Sequence, residues 1–267
     1  MYSPCRNMGR RLLLPLLMVA LAAPGYGRTL RICADPNNLP FSNEQEQGFE
    51  NRLAEMMAKD LGAQVEYTWW AERGPFVRNS LLAGKCDVIM GIPSATDQAA
   101  VTKPYYRSTY VIVSRGEPIT SLLDPRLEKM RIGVQVVGND YAPPARVLAQ
   151  RGLAKNVVGY SLFGSYGEPN PPSHILDAVA RGEVQAAIVW GPFAGYFTKQ
   201  QHADFTISPV KPPMFMGIPF CYDISMAVRK SDIGLKDELD RAIEHERAAI
   251  RALLARFAIP VIDPEGE

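Results

Sequence analysis

The chain has 267 residues, 47% of them hydrophobic and 21% charged, with 29 basic against 28 acidic side chains. That balance excludes the charge footprint of a nucleic-acid or anionic-membrane binder, and the length calls for two compact lobes rather than one. The three histidines, His174, His202 and His245, have no spacing that builds a metal site or a nucleophile triad.

At the start of the chain, Arg6, Arg10 and Arg11 precede a Pro-interrupted apolar run over 12–23, followed by Gly25 and Gly27. This pattern predicts a secretory signal peptide over 1–27, cleaved before Arg28. No later segment holds about twenty uninterrupted apolar residues, so the mature chain is expected to be exported and periplasmic, without membrane insertion. Removal of the signal leaves 26 basic against 28 acidic residues, a net charge of −2.

Leu30, Ile32 and Ala34 alternate with Arg31 and Cys33 as a strand does, and Pro36 stops it. The strand empties into a loop rich in amides and carboxylates, Asp35 to Asn43, the position at which open α/β sheets bind ligands. Phe49, Leu53, Met56, Met57 and Leu61 then recur at helical spacing until Gly62. Residues 64–70 read as a strand ending in two tryptophans, 77–84 as a short helix, and 86–93 as a buried strand stopped by Pro93. Strand, helix, strand, helix, strand is a βαβαβ unit with a parallel sheet.

A strand over 105–114 follows, punctuated by Gly116 and Pro118. The same grammar then repeats: a helical turn over 121–129, a strand over 131–135, a polar loop over 138–141, a Pro-started helix over 145–150, a strand over 157–162, a helix over 175–181 and a buried strand over 184–190. Residues 205–210 and 223–230 are extended, and 235–257 read as one long amphipathic helix ended by Pro260. The fold class is α/β in two lobes, each a mainly parallel sheet flanked by helices, with two hinge crossings. Lobe one takes 28–116 and 214–267, and lobe two, 117–213, is inserted in it.

Cys33, Cys86 and Cys221 survive signal removal, and an oxidising compartment favours a bridge with one thiol left over. Cys33 and Cys86 lie on strands expected to be neighbours and form the preferred pair. Three buried thiols are the alternative.

Several words along the chain carry a resemblance. A strand ending Asp-Pro then Pro-Phe, the helix start Gly48-Phe-Glu-Asn51, Gly84-Lys-Cys-Asp87 before a buried strand, Pro104-Tyr-Tyr106 after it, and Arg131-Ile-Gly-Val-Gln135 together resemble type II periplasmic solute-binding proteins. Tyr67-Thr-Trp-Trp70, the run 104–110, the run 189–197 and Asp223-Ile-Ser-Met226 are similar to one branch of that fold, the XoxJ/MoxJ-like, quinoprotein-dehydrogenase-associated group.

The resemblance implies a non-catalytic accessory protein whose partner is a PQQ-dependent methanol or alcohol dehydrogenase. The partner enzyme would carry PQQ and a metal ion, and this chain itself would bind no cofactor. The alternative is the binding protein of an ABC importer for a small solute other than a standard amino acid. Amino-acid binders of the superfamily hold the ligand carboxylate with an Arg before the Pro-Tyr-Tyr strand and the ammonium with an Asp after the buried lobe-two strand. Here 91–103 has no Arg, and Trp190-Gly191 stands where the Asp is expected. By position or by carry-over, the cleft is expected to be lined by Asp35, Asn38, Phe41, Trp70, Ser94, Arg107, Gln135, Asn139, Asp140 and Trp190. Such a set suits a small polar or aromatic solute, or a protruding segment of a protein partner. Asp35 and Asp140 are a conceivable acid–base pair for an enzyme of this fold, but nothing in the sequence tunes them for it, and no catalytic residue is assigned.

Overall fold

A computed structural model describes residues 27–72, 74–137, 140–163, 168–201 and 203–262. The predicted signal peptide, apart from Gly27, lies outside the described residues. The framing elements are β1 (Arg28–Ala34), α1 (Phe49–Asp60), β2 (Ala63–Trp69), α2 (Phe76–Asn79), β3 (Val88–Pro93), β4 (Tyr106–Ser114), β5 (Ile132–Val137), α3 (Pro143–Gln150), β6 (Val157–Ser161), α4 (His174–Ala180), β7 (Ala186–Trp190), α5 (Gly191–Gln200), β8 (Thr206–Pro209), β9 (Cys221–Val228), α6 (Ile233–His245) and α7 (Arg247–Arg256).

In lobe one the strands run in the order β2-β1-β3-β9, followed by the first half of β4. β1 pairs in parallel with both β2 and β3, as crossover helices require. β9 closes the sheet antiparallel to β3. Lobe two repeats the plan: β6, β5 and β7 are parallel neighbours, and the second half of β4 runs antiparallel to β7 with β8 on its other side. The sheets are therefore parallel in their βαβ parts and antiparallel where the chain crosses between lobes.

The crossings fall inside continuous strands. Tyr106–Thr109 pair with β9, whereas Tyr110–Ser114 pair with β7. On the return, Phe220 is fully buried in the lobe-two core and Cys221 begins the lobe-one pairing. The exchange of partners at 109/110 and 220/221 lies several residues from the boundaries at 116/117 and 213/214. Gly116, with φ of 87°, turns the chain within lobe two rather than between lobes.

α1 buries Phe49, Leu53, Ala54, Met57 and Ala58 as one stripe on the lobe-one sheet. It begins where Asn51 Oδ1 accepts from the Gly48 amide at 3.0 Å. A side chain at Gly48 would meet the Phe41 carbonyl oxygen at 1.9 Å, so the close approach of the loop to the helix start requires glycine. Leu30, Ile32, Met226, Leu239 and Ile250 complete this core. In lobe two, Ile132, Val134, Leu148 and Phe220 pack one face of the sheet, and Val111, Val113, Ile175, Val189 and Phe193 the other.

The expected single terminal helix is two. Glu246, with φ −91° and ψ 10°, separates α6 from α7, and the break lets Leu239, Ala242 and Ile243 on one side and Ile250, Leu253 and Leu254 on the other all reach the core. The following segment straps the two lobes. Ile262 N donates to the Arg107 carbonyl at 2.9 Å, Ser108 Oγ to the Pro260 carbonyl at 2.6 Å, and Tyr196 of α5 stacks on Phe257. The disulfide Cys33–Cys86 is formed, with Cα atoms 5.5 Å apart, and Cys221 is free. No helix among the described residues is long and apolar enough to cross a membrane.

Candidate functional site

A cavity of about 410 Å³ opens between the lobes. Lobe one contributes Asn38, Phe41, Glu50, Glu72, Gly91, Pro93, Tyr106 and Tyr222, and lobe two contributes Tyr110, Gln135, Val137, Pro143, Phe163, Trp190 and Phe193. Four of the expected residues, Asn38, Phe41, Gln135 and Trp190, meet there.

Each is placed by a local structural reason. The 37–43 loop folds as a miniature hairpin, Asn37–Asn38 against Ser42–Asn43. Asp35, nearly fully buried, anchors it by accepting from the amides of Asn37 at 2.8 Å and Glu72 at 2.7 Å. The loop reaches across the cleft: Leu39 packs in the lobe-two core with Val113 and Phe193, and Asn37 Nδ2 donates to the Glu168 carbonyl at 2.9 Å. Phe41 sits between Phe49 of lobe one, centroids 5.3 Å apart, and Phe193 of lobe two, 5.1 Å.

Trp190 ends the buried strand β7, where the chain must turn into α5, so its ring is delivered to the cavity. It lies edge-on to Tyr110 at 5.4 Å and Tyr222 at 5.8 Å and lines the cavity together with Tyr106. Gln135, buried on β5, accepts the Trp190 amide at 2.9 Å through Oε1. Its Nε2 has no partner among the described residues. The result is an aromatic wall with one buried amide donor in it.

The opposite pole is acidic and was not singled out by the sequence. Glu50, in the first turn of α1, lies against the bare backbone of Gly91, whose hypothetical Cβ would stand 2.1 Å from Oε1, and Tyr105 Oη approaches that oxygen at 3.5 Å. Burial, reinforced by the charge of Glu72, pushes the Glu50 carboxyl up to about 8. Glu72, in the loop after β2, accepts from Asn38 Nδ2 at 2.9 Å, and burial together with Asp35 pushes it up to about 7. Asn38 keeps its Oδ1 without a partner among the described residues. Burial likewise raises the phenols of Tyr105 and Tyr106. No arginine or lysine is among the described residues lining this cavity.

The other expected residues lie elsewhere. Trp70, one residue past the end of the edge strand β2, packs against the cluster around the Cys33–Cys86 bridge with Lys85 Nζ 3.4 Å from its ring centroid. Ser94 pairs with Ser225, Oγ to Oγ 2.7 Å, beyond the lining residue Pro93. Arg107 faces Asp223, with Nε 4.0 Å from Oδ1, in a separate hollow bordered by α7. Asp35 stands behind the wall as the anchor described above. Asp140 is exposed on a short ribbon against Val137, and Asn139 lies outside the described residues. Asp35 and Asp140 do not face each other across the cavity. The one group of described His, Cys, Asp and Glu side chains close enough to share an ion is Asp60, His245 and Glu246, away from the cleft.

Two α/β lobes with a cleft between them, the first and last strands among the described residues in one lobe, and a lining of aromatics and buried polar groups define a periplasmic-type binding protein. Residues 30–257 match the bacterial extracellular solute-binding proteins, family 3, and the chain belongs to that family. It is a binding protein, not an enzyme. It is 30% identical over 256 residues to protein MoxJ of Methylorubrum extorquens, the match covering 90% of this chain and 84% of that one. Among solved structures it resembles MxaJ from Methlophaga aminisulfidivorans MPT, with a TM-score of 0.77, 26% identity, and coverage of 87% of this chain and 100% of that one. It also resembles the periplasmic binding protein XoxJ from Methylobacterium extorquens AM1, with a TM-score of 0.70, 31% identity, and coverage of 88% and 99%. The branch suggested by the sequence motifs is the branch these relatives occupy.

Proposed function

We propose that the chain is an exported, periplasmic accessory protein that binds a PQQ-dependent methanol or alcohol dehydrogenase and assists its activation or maturation. The relatives named MoxJ, MxaJ and XoxJ, together with the motifs shared with the quinoprotein-associated branch, support the partner. The observation that carries the reading is the character of the cleft. Where an amino-acid binder needs a guanidinium for the ligand carboxylate, the described lining residues here include none and present Trp190, Tyr110, Tyr106, Phe41 and Phe193, side chains that anchor protein segments.

Pull-down of the dehydrogenase from periplasm by the tagged mature chain tests the reading, with a strain lacking the protein as its functional arm. Loss of capture on Trp190→Ala and reduced dehydrogenase activity in the deletion strain are expected. Normal activity and no capture would overturn it.

The volume of about 410 Å³ between the lobes favours one rival, a small-solute receptor for an importer. A solute that raises the melting temperature in proportion to ln(1 + [L]/Kd), with no dehydrogenase binding, would select that rival.

A further inference from the structure

The acidic pole of the cleft is left over from the aromatic reading. Glu50 and Glu72 face the same cavity as Trp190, and two carboxyls are held there without a cation among the described lining residues. Buried charge without compensation is costly, and such groups either keep their protons or await a positive partner. Independently, two buried amides border the cavity with one unused atom each. Asn38, 3% exposed, holds a free acceptor at the acidic pole, and Gln135, also 3% exposed, holds a free donor on the aromatic wall. Native interiors rarely leave such atoms unmatched unless a bound group completes them.

We infer that the cleft captures a ligand group bearing a positive charge and no carboxylate, an ammonium or guanidinium, seated between Glu50, Glu72 and Asn38 Oδ1 with its apolar body against Trp190 and a hydrogen-bond acceptor toward Gln135. An organic cation suits the cavity because its apolar body has the aromatic wall of Trp190, Tyr110 and Phe193 to pack on. A carboxylate-bearing ligand is disfavoured: no basic side chain among the described lining residues would meet its anion. The inference rests on the reading of the cleft as the binding site, and the charged group has two sources, a free amine or the side chain of a lysine or arginine in a partner segment.

The raised carboxyls give the capture a proton signature. Glu50, at about 8, faces Glu72 and the phenols of Tyr105 and Tyr106, while Glu72, at about 7, faces Asp35 and Asn38. A bound cation stabilises both carboxylates, so binding expels their protons, and affinity climbs as pH rises from 6 to 8.5 by up to about tenfold per unit for each proton released.

The test is isothermal titration of the mature chain with 2-phenylethylamine and with Nα-acetyl-lysine methylamide, against the uncharged 2-phenylethanol and Nα,Nε-diacetyl-lysine methylamide. Runs in two buffers of different ionisation heat count the protons. At least one cationic probe should bind tenfold or more tighter than its uncharged counterpart, release protons at pH 7, and lose tenfold or more in Glu50→Gln or Glu72→Gln. Preference for phenylethylamine assigns a free amine, and preference for the lysine probe assigns a partner side chain. Equal binding of charged and uncharged probes, no proton release by the wild-type chain, or no binding of either cation at millimolar concentration and pH 8.5 would overturn the inference. Dehydrogenase capture is measured separately, so either reading can fail alone.

Discussion

Asn38 donates its side-chain amide to Glu72 Oε2 over 2.9 Å and leaves its own carbonyl oxygen unmatched among the described residues at the cavity wall. One amide thus both orients a carboxyl held near pH 7 and offers an acceptor beside it. Stability follows from the same placement. Glu50 and Glu72 have folded-state pKa values raised above their unfolded value of about 4.5. In that pH range the native state holds more protons than the unfolded state, so stability falls as pH rises from about 4.5 through 7 and 8. Glu50→Gln removes part of that fall. Its melting temperature at pH 8.5 should exceed the wild type's by roughly 3 °C or more, with the difference shrinking at pH 4.5, as read by scanning calorimetry.

Gly91 is the seat of Glu50. A methyl group there would stand 2.1 Å from the carboxyl oxygen, so Gly91→Ala must push the glutamate into the cavity and toward solvent. Titration of Glu50 by carbon-13 NMR should then move from about 8 toward the ordinary carboxylate range, with the fold retained in the circular dichroism spectrum.

Phe41 couples the lobes through Phe49 and Phe193. Phe41→Ala opens a gap at both contacts and should cost about 2 kcal/mol in urea unfolding, below the full-core value because the ring also faces the cavity. Small-angle scattering of this variant should show a larger radius of gyration.

The Cys33–Cys86 bridge closes 53 residues of chain between the first and third strands of lobe one. Replacing both cysteines with serine should lower stability by about 2–4 kcal/mol. Thiol counting on unfolded residues 28–267, which omit Cys5, should find one reactive group, Cys221, before reduction and three after.

The strand and helix grammar was legible because each lobe is a βαβ unit with sharp Pro and Gly punctuation, and the Cys33–Cys86 pair followed from the adjacency of their strands. Trp190 and Gln135 were legible as side chains at the ends of buried lobe-two strands. Glu50 was hidden because an acidic residue in the first turn of a helix reads as a partner for the helix dipole. Its one available signal was its place between Gly48-Phe49 and Asn51, beside the loop already singled out. Glu72 sits in an irregular loop with no period to read. Trp70 packs with the Cys33–Cys86 cluster rather than in the cavity lining, because it falls one residue past the end of β2, a boundary the continuous 64–70 pattern does not mark. The division of the last helix at Glu246 leaves the apolar period nearly unbroken and so left no mark in the pattern.

Engagement of a PQQ-dependent dehydrogenase by the aromatic cleft is decided by the equilibrium affinity of purified residues 28–267 for that enzyme. Saturable binding is predicted, weakened tenfold or more by Trp190→Ala and unchanged by Leu123→Ser, a substitution on the exposed surface of lobe two outside the cavity lining. No binding, or binding indifferent to Trp190→Ala, would contradict it.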